Sequence, residues 1–381
     1  MLKKVGNLIF ITIFMLMCSV PLLFSNLIQG TPSIAEQRML HGIAKVFTYD
    51  GNFNPKVLDE FNGWIDDNIG FRSEVVALNA KIQFYVFDRF THYSNMSLGP
   101  NGEVNSTPPQ QILEFQHLNL KTEEELTVIA NSFQTISDYL ENKGIQYYYL
   151  QCYEKYSIYP EYMTLHINQY GTVSKTDQVV TALSQSTSIN LIDSKDMLLA
   201  AKEKYQPYSR YGDCAHWTER GSFIVYQELM HQINEKNNNQ YLILQEDDYL
   251  ITIDDMGSDL FGGIHLVDYL ENFEIRNPKA YETIGKLGKY SDEYNCTVYT
   301  NDAVNNQTRV LVLADSYVNH YLLDELSESF HELICIHADK TEEFTELVDY
   351  FDPDIVIHEN AERADRYGII TAVAGQINTA N

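Results

Sequence analysis

The stretch that most restricts the fold is Arg309–Tyr317, RVLVLADSY. Its unbroken apolar run, Val310–Leu313, reads as a buried strand, the kind found in parallel sheets covered by helices on both faces. Such a strand delivers Ala314, Asp315 and Ser316 to its carboxyl end, which is where ligands bind in open α/β sheets. A serine at a strand-to-helix turn can have its hydroxyl exposed and its N–H directed at an oxyanion.

Similar punctuation recurs along the chain. Thr122–Glu125 is a capping box that opens a helix running to about Lys143, where Gly144 stops it. A Tyr-rich strand follows at Ile145–Gln151, then a helix at Thr176–Ser186 and a short strand at Ile189–Asp193. Thr218 caps a helix to about Ile233. After it, the block from about 237 to 307 breaks the rhythm: a strand pair at Tyr241–Ile253, a tight turn at Gly257–Leu260, and irregular strands to Thr300. Rhythm resumes with the 310–316 strand, a helix from Val318, strands at Glu332–His337 and Asp354–His358, and a helix at Thr341–Phe351 between them. Strand–helix alternation predicts a doubly wound, mostly parallel α/β sheet carrying a β-rich insertion at about 237–307.

The first residues have a different character. Lys3 and Lys4 precede an apolar run from Leu8 to Phe24, the layout of a signal sequence or a short membrane anchor. Residues 1–28 are therefore expected to lead the chain to the membrane, with 29–381 on the extracytoplasmic side, anchored to the cytoplasmic membrane or secreted if the leader is cut. Gln29–Asn54 reads as a linker or membrane-proximal segment, and Phe61–Tyr85 has helical spacing in which Arg72 can pair with Asp66 or Asp67. A formal net charge of −27 argues against nucleic acid or an anionic membrane surface as partner. Five scattered cysteines make no disulfide framework, and no CxxC pair or ligand spacing near His216 calls for a metal.

A serine needs a base, and that base needs an orienting acid. The stretch Asp213-Cys-Ala-His216-Trp217 supplies both on one loop. Asp213 would hold His216, and His216 would deprotonate Ser316; their order along the chain is no obstacle, because triads are defined by geometry. Lys155 and Tyr159 lie just past a strand end, where binding residues collect.

These motifs, in this order, resemble the SGNH-hydrolase-like alginate O-acetyltransferase family of the AlgJ/AlgX type, with its DHHW relatives. Trp64–Arg72 is similar to the family's early "W…D.FGFR" segment, Leu98–Glu103 to its "GxxGW" turn, and Lys155…Tyr159-Pro-Glu161 to its "K..vYPE" segment. DCAHW resembles "DTHW", Gly257–Leu260 a "GDL" turn, ADSY the "GDS(F/Y)" block, and Pro353-Asp354-Ile-Val-Ile…Glu362-Arg363 the closing "PDvV…ER". The chain departs in its Asp-x-x-His spacing, which is that of broader SGNH esterases, and in Ala314 where the family has glycine.

The resemblance implies a flavodoxin-like core in circularly permuted SGNH order. It implies a catalytic triad of Ser316, His216 and Asp213, no cofactor, and transfer of an acetyl group through a serine ester onto polysaccharide hydroxyls. Lys155, Tyr159, Trp217 and Arg363 are the expected substrate-side residues, with Trp217 also suited to buttressing the histidine loop and Arg363 to anchoring a loop. A membrane-bound O-acyltransferase is the implied acetyl donor system. A carbohydrate acetylesterase with the same triad, or a non-catalytic polysaccharide-assembly component, are the alternative readings.

Overall fold

A computed structural model of the chain describes residues 2–25, 32–33, 36, 38–90, 95–164, 166–291, 293, 296–319 and 321–380. The expected leader boundary at residues 28 and 29 lies outside them. Contacts divide the chain into two units, Met1–Ser94 with Gly257–Leu266, and Asn95–Met256 with Val267–Asn381.

In the first unit, a helix spans Leu2–Leu23, and its Lys4–Leu23 portion is apolar, has no buried residue and is long enough to cross a membrane. The stretch expected to be helical from Phe61 is two helices, Val57–Asn68 and Arg72–Phe87. They break at Ile69–Phe71, where Phe71 takes a left-handed φ of 63°. Arg72 pairs with Asp67 at 3.6 Å and also with Glu36, and Arg38 forks onto Asp67 at 2.6 and 2.8 Å. Asp67 thus joins a structural cluster, its carboxyl held below the usual range chiefly by Arg38.

The second unit carries the sheet. Its helices are α1 (Glu123–Asn142), α2 (Lys175–Ser186), α3 (Glu219–Lys236), α4 (Ser316–Asn319), α5 (Phe344–Phe351) and α6 (Tyr367–Ala380). Its sheet strands are β1 (Gln146–Cys152), β2 (Asn190–Asp193), β3 (Tyr281–Glu282), β4 (Thr297–Thr300), β5 (Arg309–Ala314), β6 (Glu332–His337) and β7 (Ile355–Ala361). They lie in the order β2-β1-β7-β5-β6-β4-β3. The first five are parallel; β4 and β3 extend the sheet antiparallel. Read from β6, the parallel strands follow the 2-1-3-4-5 order of flavodoxin-like sheets, with the chain entering at the fourth strand. The permuted α/β order expected above is present. The point where the order reverses falls between β5 and β7.

Burial explains the layering. Along β5, Val310, Val312 and Ala314 pack towards α3, while Leu311 and Leu313 pack towards α1, α5 and α6. A strand covered on both faces has no place for a polar side chain, which is why its sequence reads as a continuous apolar run. The Thr122 capping box is formed, with Glu125 N–H donating to Thr122 Oγ1 at 3.2 Å, and Gly144 supplies the left-handed stop at φ +75°.

Several local readings need correction. Gly257–Leu260 is strand, not turn: a hairpin pairs Tyr249–Leu260 with Ile264–Ile275, and it turns where Gly262 and Gly263 take positive φ. The helix expected from Val318 begins at Ser316, stops at Asn319 and resumes at Leu323–Ser327. β7 runs to Ala361, three residues past the expected His358, and α6 was not anticipated.

Candidate functional site

Ser316 stands at the first position of α4, directly after β5, at the reversal point of the sheet. Asp315 makes the turn: its Oδ1 accepts from Tyr317 N–H at 3.0 Å, and its Oδ2 accepts from Arg366 at 3.1 Å. Its own N–H donates to buried Glu359 on β7 at 2.8 Å. Burial would raise both carboxyls. The backbone bond from Tyr317 and the two arginines keep Asp315 low, while Glu359, buried and facing that charge, is driven up.

His216 comes from the loop ahead of α3. Its Nδ1 lies 2.8 Å from Asp213 Oδ2 and its Nε2 lies 2.7 Å from Ser316 Oγ. Asp213 Oδ1 accepts from the N–H groups of Ala215 and His216 at 2.8 and 3.0 Å, so this carboxylate also shapes its own loop. Burial pushes Asp213 up, but the His216 ring and those backbone bonds outweigh it and hold it at about 2. Trp217 locks the loop from behind: it is 1% exposed and its indole N–H donates to Tyr317 O at 3.1 Å. The Tyr317 hydroxyl in turn donates to Ala215 O at 2.8 Å. Trp217 therefore buttresses the loop and offers no face for stacking on a ligand.

Arg363, two residues beyond β7, completes the group. Its Nη2 lies 3.0 Å from His216 Nε2 and 3.2 Å from Ser316 Oγ, and its Nη1 donates to Glu154 Oε1 at 2.8 Å. A guanidinium has no acceptor and a carboxylate has no donor. Arg363 and Asp213 therefore fix the same tautomer from opposite ends of the ring, with the proton on Nδ1 and the lone pair on Nε2. That is the form that can take a proton from Ser316.

Lys155 and Tyr159 are not part of this group. Lys155 is 1% exposed and donates to the carbonyls of Val104 and Arg210 at 2.7 and 3.0 Å, and burial brings its pKa down to about 8. Tyr159 is buried flat against Tyr162, with ring centres 4.6 Å apart. Both side chains, expected on the substrate side, are turned inward onto these partners and away from the Ser316–His216 group. Sequence reading missed Glu154 and Glu359. The available signal was position: both are acidic residues at or just past the carboxyl ends of the central parallel strands.

Glu154 is 1% exposed, and burial pushes it up to about 7 from an ordinary 4.5, against the pull of Arg363. Glu325, near α4, is pushed up by burial to about 8. Folded-state values above the unfolded ones mean that this contribution to stability is full below pH about 4.5 and is lost as pH rises through 7 to 8. The melting temperature is therefore expected to fall between pH 5 and pH 8.5, and Glu325→Gln to flatten the slope. A thermal melt series that is level or rises with pH would contradict this.

No protein-family model matches the chain, and no curated protein matches it in sequence. Solved structures do match. Bacillus cereus PatB1, solved alone and with a sulfonyl adduct, aligns with a TM-score of 0.53 at 16% identity. The adduct structure covers 72% of this chain and 96% of its own. At that identity the likeness is one of fold. A DHHW family protein from Eubacterium siraeum aligns at TM-score 0.47 and 12% identity, covering 76% of this chain and 96% of its own. The O-acetyltransferase domain of Pseudomonas putida AlgJ aligns at 0.46 and 14%, covering 75% and 100%.

Proposed function

We propose that the chain is an extracytoplasmic O-acetyltransferase that carries an acetyl group on Ser316 and passes it to a polysaccharide hydroxyl. The observation behind this reading is the unbroken line from Asp213 through His216 to Ser316, at 2.8 and 2.7 Å. In the first half-reaction His216 Nε2 takes the Ser316 proton as Oγ attacks the donor's acetyl carbonyl. The donor's leaving group departs with that proton, and an ester remains on Ser316. In the second half-reaction an acceptor hydroxyl gives its proton to Nε2 and attacks the ester, and Oγ leaves and is reprotonated. Negative charge gathers twice on the carbonyl oxygen; Arg363 Nη2 and the Ser316 N–H are the donors placed to meet it.

In this reading the Lys4–Leu23 helix holds the enzyme at the cell envelope, and a membrane-bound O-acyltransferase supplies acetyl groups from the far side. An acetylesterase would share the first half-reaction and differ only in using water for the second.

Incubating the full-length protein in detergent with an aryl sulfonyl fluoride is expected to modify Ser316 alone and to block transfer. With an acetyl ester donor and a glycan, acetylated glycan supports transfer, while free acetate alone favours the esterase. Unmodified Ser316 under both reagents would defeat either reading.

A further inference from the structure

Next to the triad is a cleft of about 740 Å³, within the size range of sites that enclose a ligand several rings long. Tyr321 forms the rim between the two, its ring centre 6.2 Å from that of His216. Asn319, at the end of the turn that begins with Ser316, is part of the wall. Phe273 and Tyr299 add aromatic rings, that of Phe273 already packed against Arg220 and Phe223. The smaller cavity that Arg363 borders, about 250 Å³, is below that size range.

The charge in the cleft is one-sided. Glu219, Glu274, Asp324 and Glu328 line it together with the buried Glu325, which does not count towards the charge because burial pushes it up to about 8, and Arg276 is the sole cation among the described lining residues. The wall also shows unmet hydrogen-bonding capacity. Glu325 is 8% exposed, and its Oε2 has no partner among the described residues. The same is true of Asn319 Nδ2, although Cys335 Sγ donates to the other end of that amide at 2.9 Å. A native fold seldom leaves such groups unmet unless something else supplies the bond. Glu325 sits at the back of this wall, pushed up by burial to about 8.

We propose that this cleft seats the acceptor glycan and selects one without acid groups, preferring free amino sugars to neutral ones and rejecting polyuronates. The proposal rests on the transferase reading above and adds its substrate class. An incoming sugar hydroxyl would reach the Ser316 ester past Tyr321, while amines or hydroxyls meet the carboxyls. A uronate would set like charges opposite one another, which binding sites use to exclude wrong partners.

The test gives the full-length protein in detergent p-nitrophenyl acetate as donor and three tetrasaccharides as acceptors, built from glucosamine, mannose or mannuronate. Ser316 acetylation is followed separately by mass spectrometry. Glucosamine is expected to exceed mannose in kcat/KM, and both to exceed mannuronate by about tenfold or more; mannose used as well as glucosamine would overturn the amine preference. Glu274→Gln combined with Asp324→Asn, both at exposed positions, is expected to narrow that gap through KM for mannuronate. Mannuronate used as well as the others, or a gap unchanged in the double variant, each with Ser316 acetylated and an acceptor modified, overturns the cleft assignment; acetate release with no acceptor modified overturns the transferase reading beneath it. Failure of Ser316 to acetylate at all overturns the reading beneath it, and this proposal with it.

Discussion

Replacing Ser316 by alanine is expected to lower acetyl transfer by about 10⁴-fold or more and to remove the covalent acetyl intermediate, with little change in stability. The hydroxyl is the bond-forming atom, and its removal leaves His216 with Arg363 as a remaining neighbour at 3.0 Å. Asp213→Asn is the sharper test. The amide would fill nearly the same space but would present a donor or a weaker acceptor to His216 Nδ1, which is now 2.8 Å from the carboxylate. Nδ1–H would then lose its charged acceptor while Arg363 still presents N–H to Nε2, so the ring is no longer held and the imidazolium formed on taking the Ser316 proton is no longer stabilised. A loss on the order of 10⁴-fold in kcat/KM is expected, as where an orienting carboxylate is replaced elsewhere. Steady-state kinetics with an aryl acetate would show it. If Asp213→Asn retains more than a tenth of wild-type activity, the triad is not the catalytic unit.

The second large effect concerns Arg363. Its partner Glu154 is 1% exposed and receives Nη1 at 2.8 Å. Arg363→Met would leave that carboxyl buried without a cation, which costs about 3 kcal/mol in comparable buried pairs. Changing Glu154→Gln as well removes the stranded charge and is expected to restore most of the stability measured by urea melts. Activity is not expected to return with it, because Nη2 is the donor beside Ser316 Oγ at 3.2 Å. A loss of about 10²-fold in the rate of Ser316 acetylation should persist in the double variant. Wild-type acetylation rates in Arg363→Met alone would show that Arg363 only anchors its loop.

The parts of this molecule that could be read from sequence are those determined locally. β5 and β6 are runs of apolar residues that only a doubly covered strand explains, and the capping box before α1 names its own helix start. Asp213 and His216 are three residues apart, so their contact depends on one loop and little else. The network below them is not local. Glu154 and Arg363 are 209 residues apart and meet only because β1 and β7 are neighbours. Lys155 occupies a strand-end position that would suit a ligand, yet it turns inward because carbonyls of Val104 and Arg210 converge there. Its sequence neighbours say nothing of that. Helix α6 contains two glycines and several β-branched residues, a poor helix former by propensity. Packing of Ile370, Val373 and Ile377 against α1 and the sheet decides it.

The permuted strand order has a consequence for how the molecule comes into being. β7 lies between β1 and β5, so the middle of the sheet is filled by its last strand. Until Ile355–Ala361 docks, the chain has two separate pieces, β1 with β2 and β5 with β6, each with a raw edge where β7 belongs. Contacts this distant in sequence are slow to form, and nothing upstream can substitute for them. Ser316 and His216 are synthesised earlier, but Arg363 and the Glu359 support of the Asp315 turn arrive with that final strand. The site is therefore complete only when the sheet closes, and on the proposed mechanism a nascent or nicked molecule lacking β7 is expected to be inert.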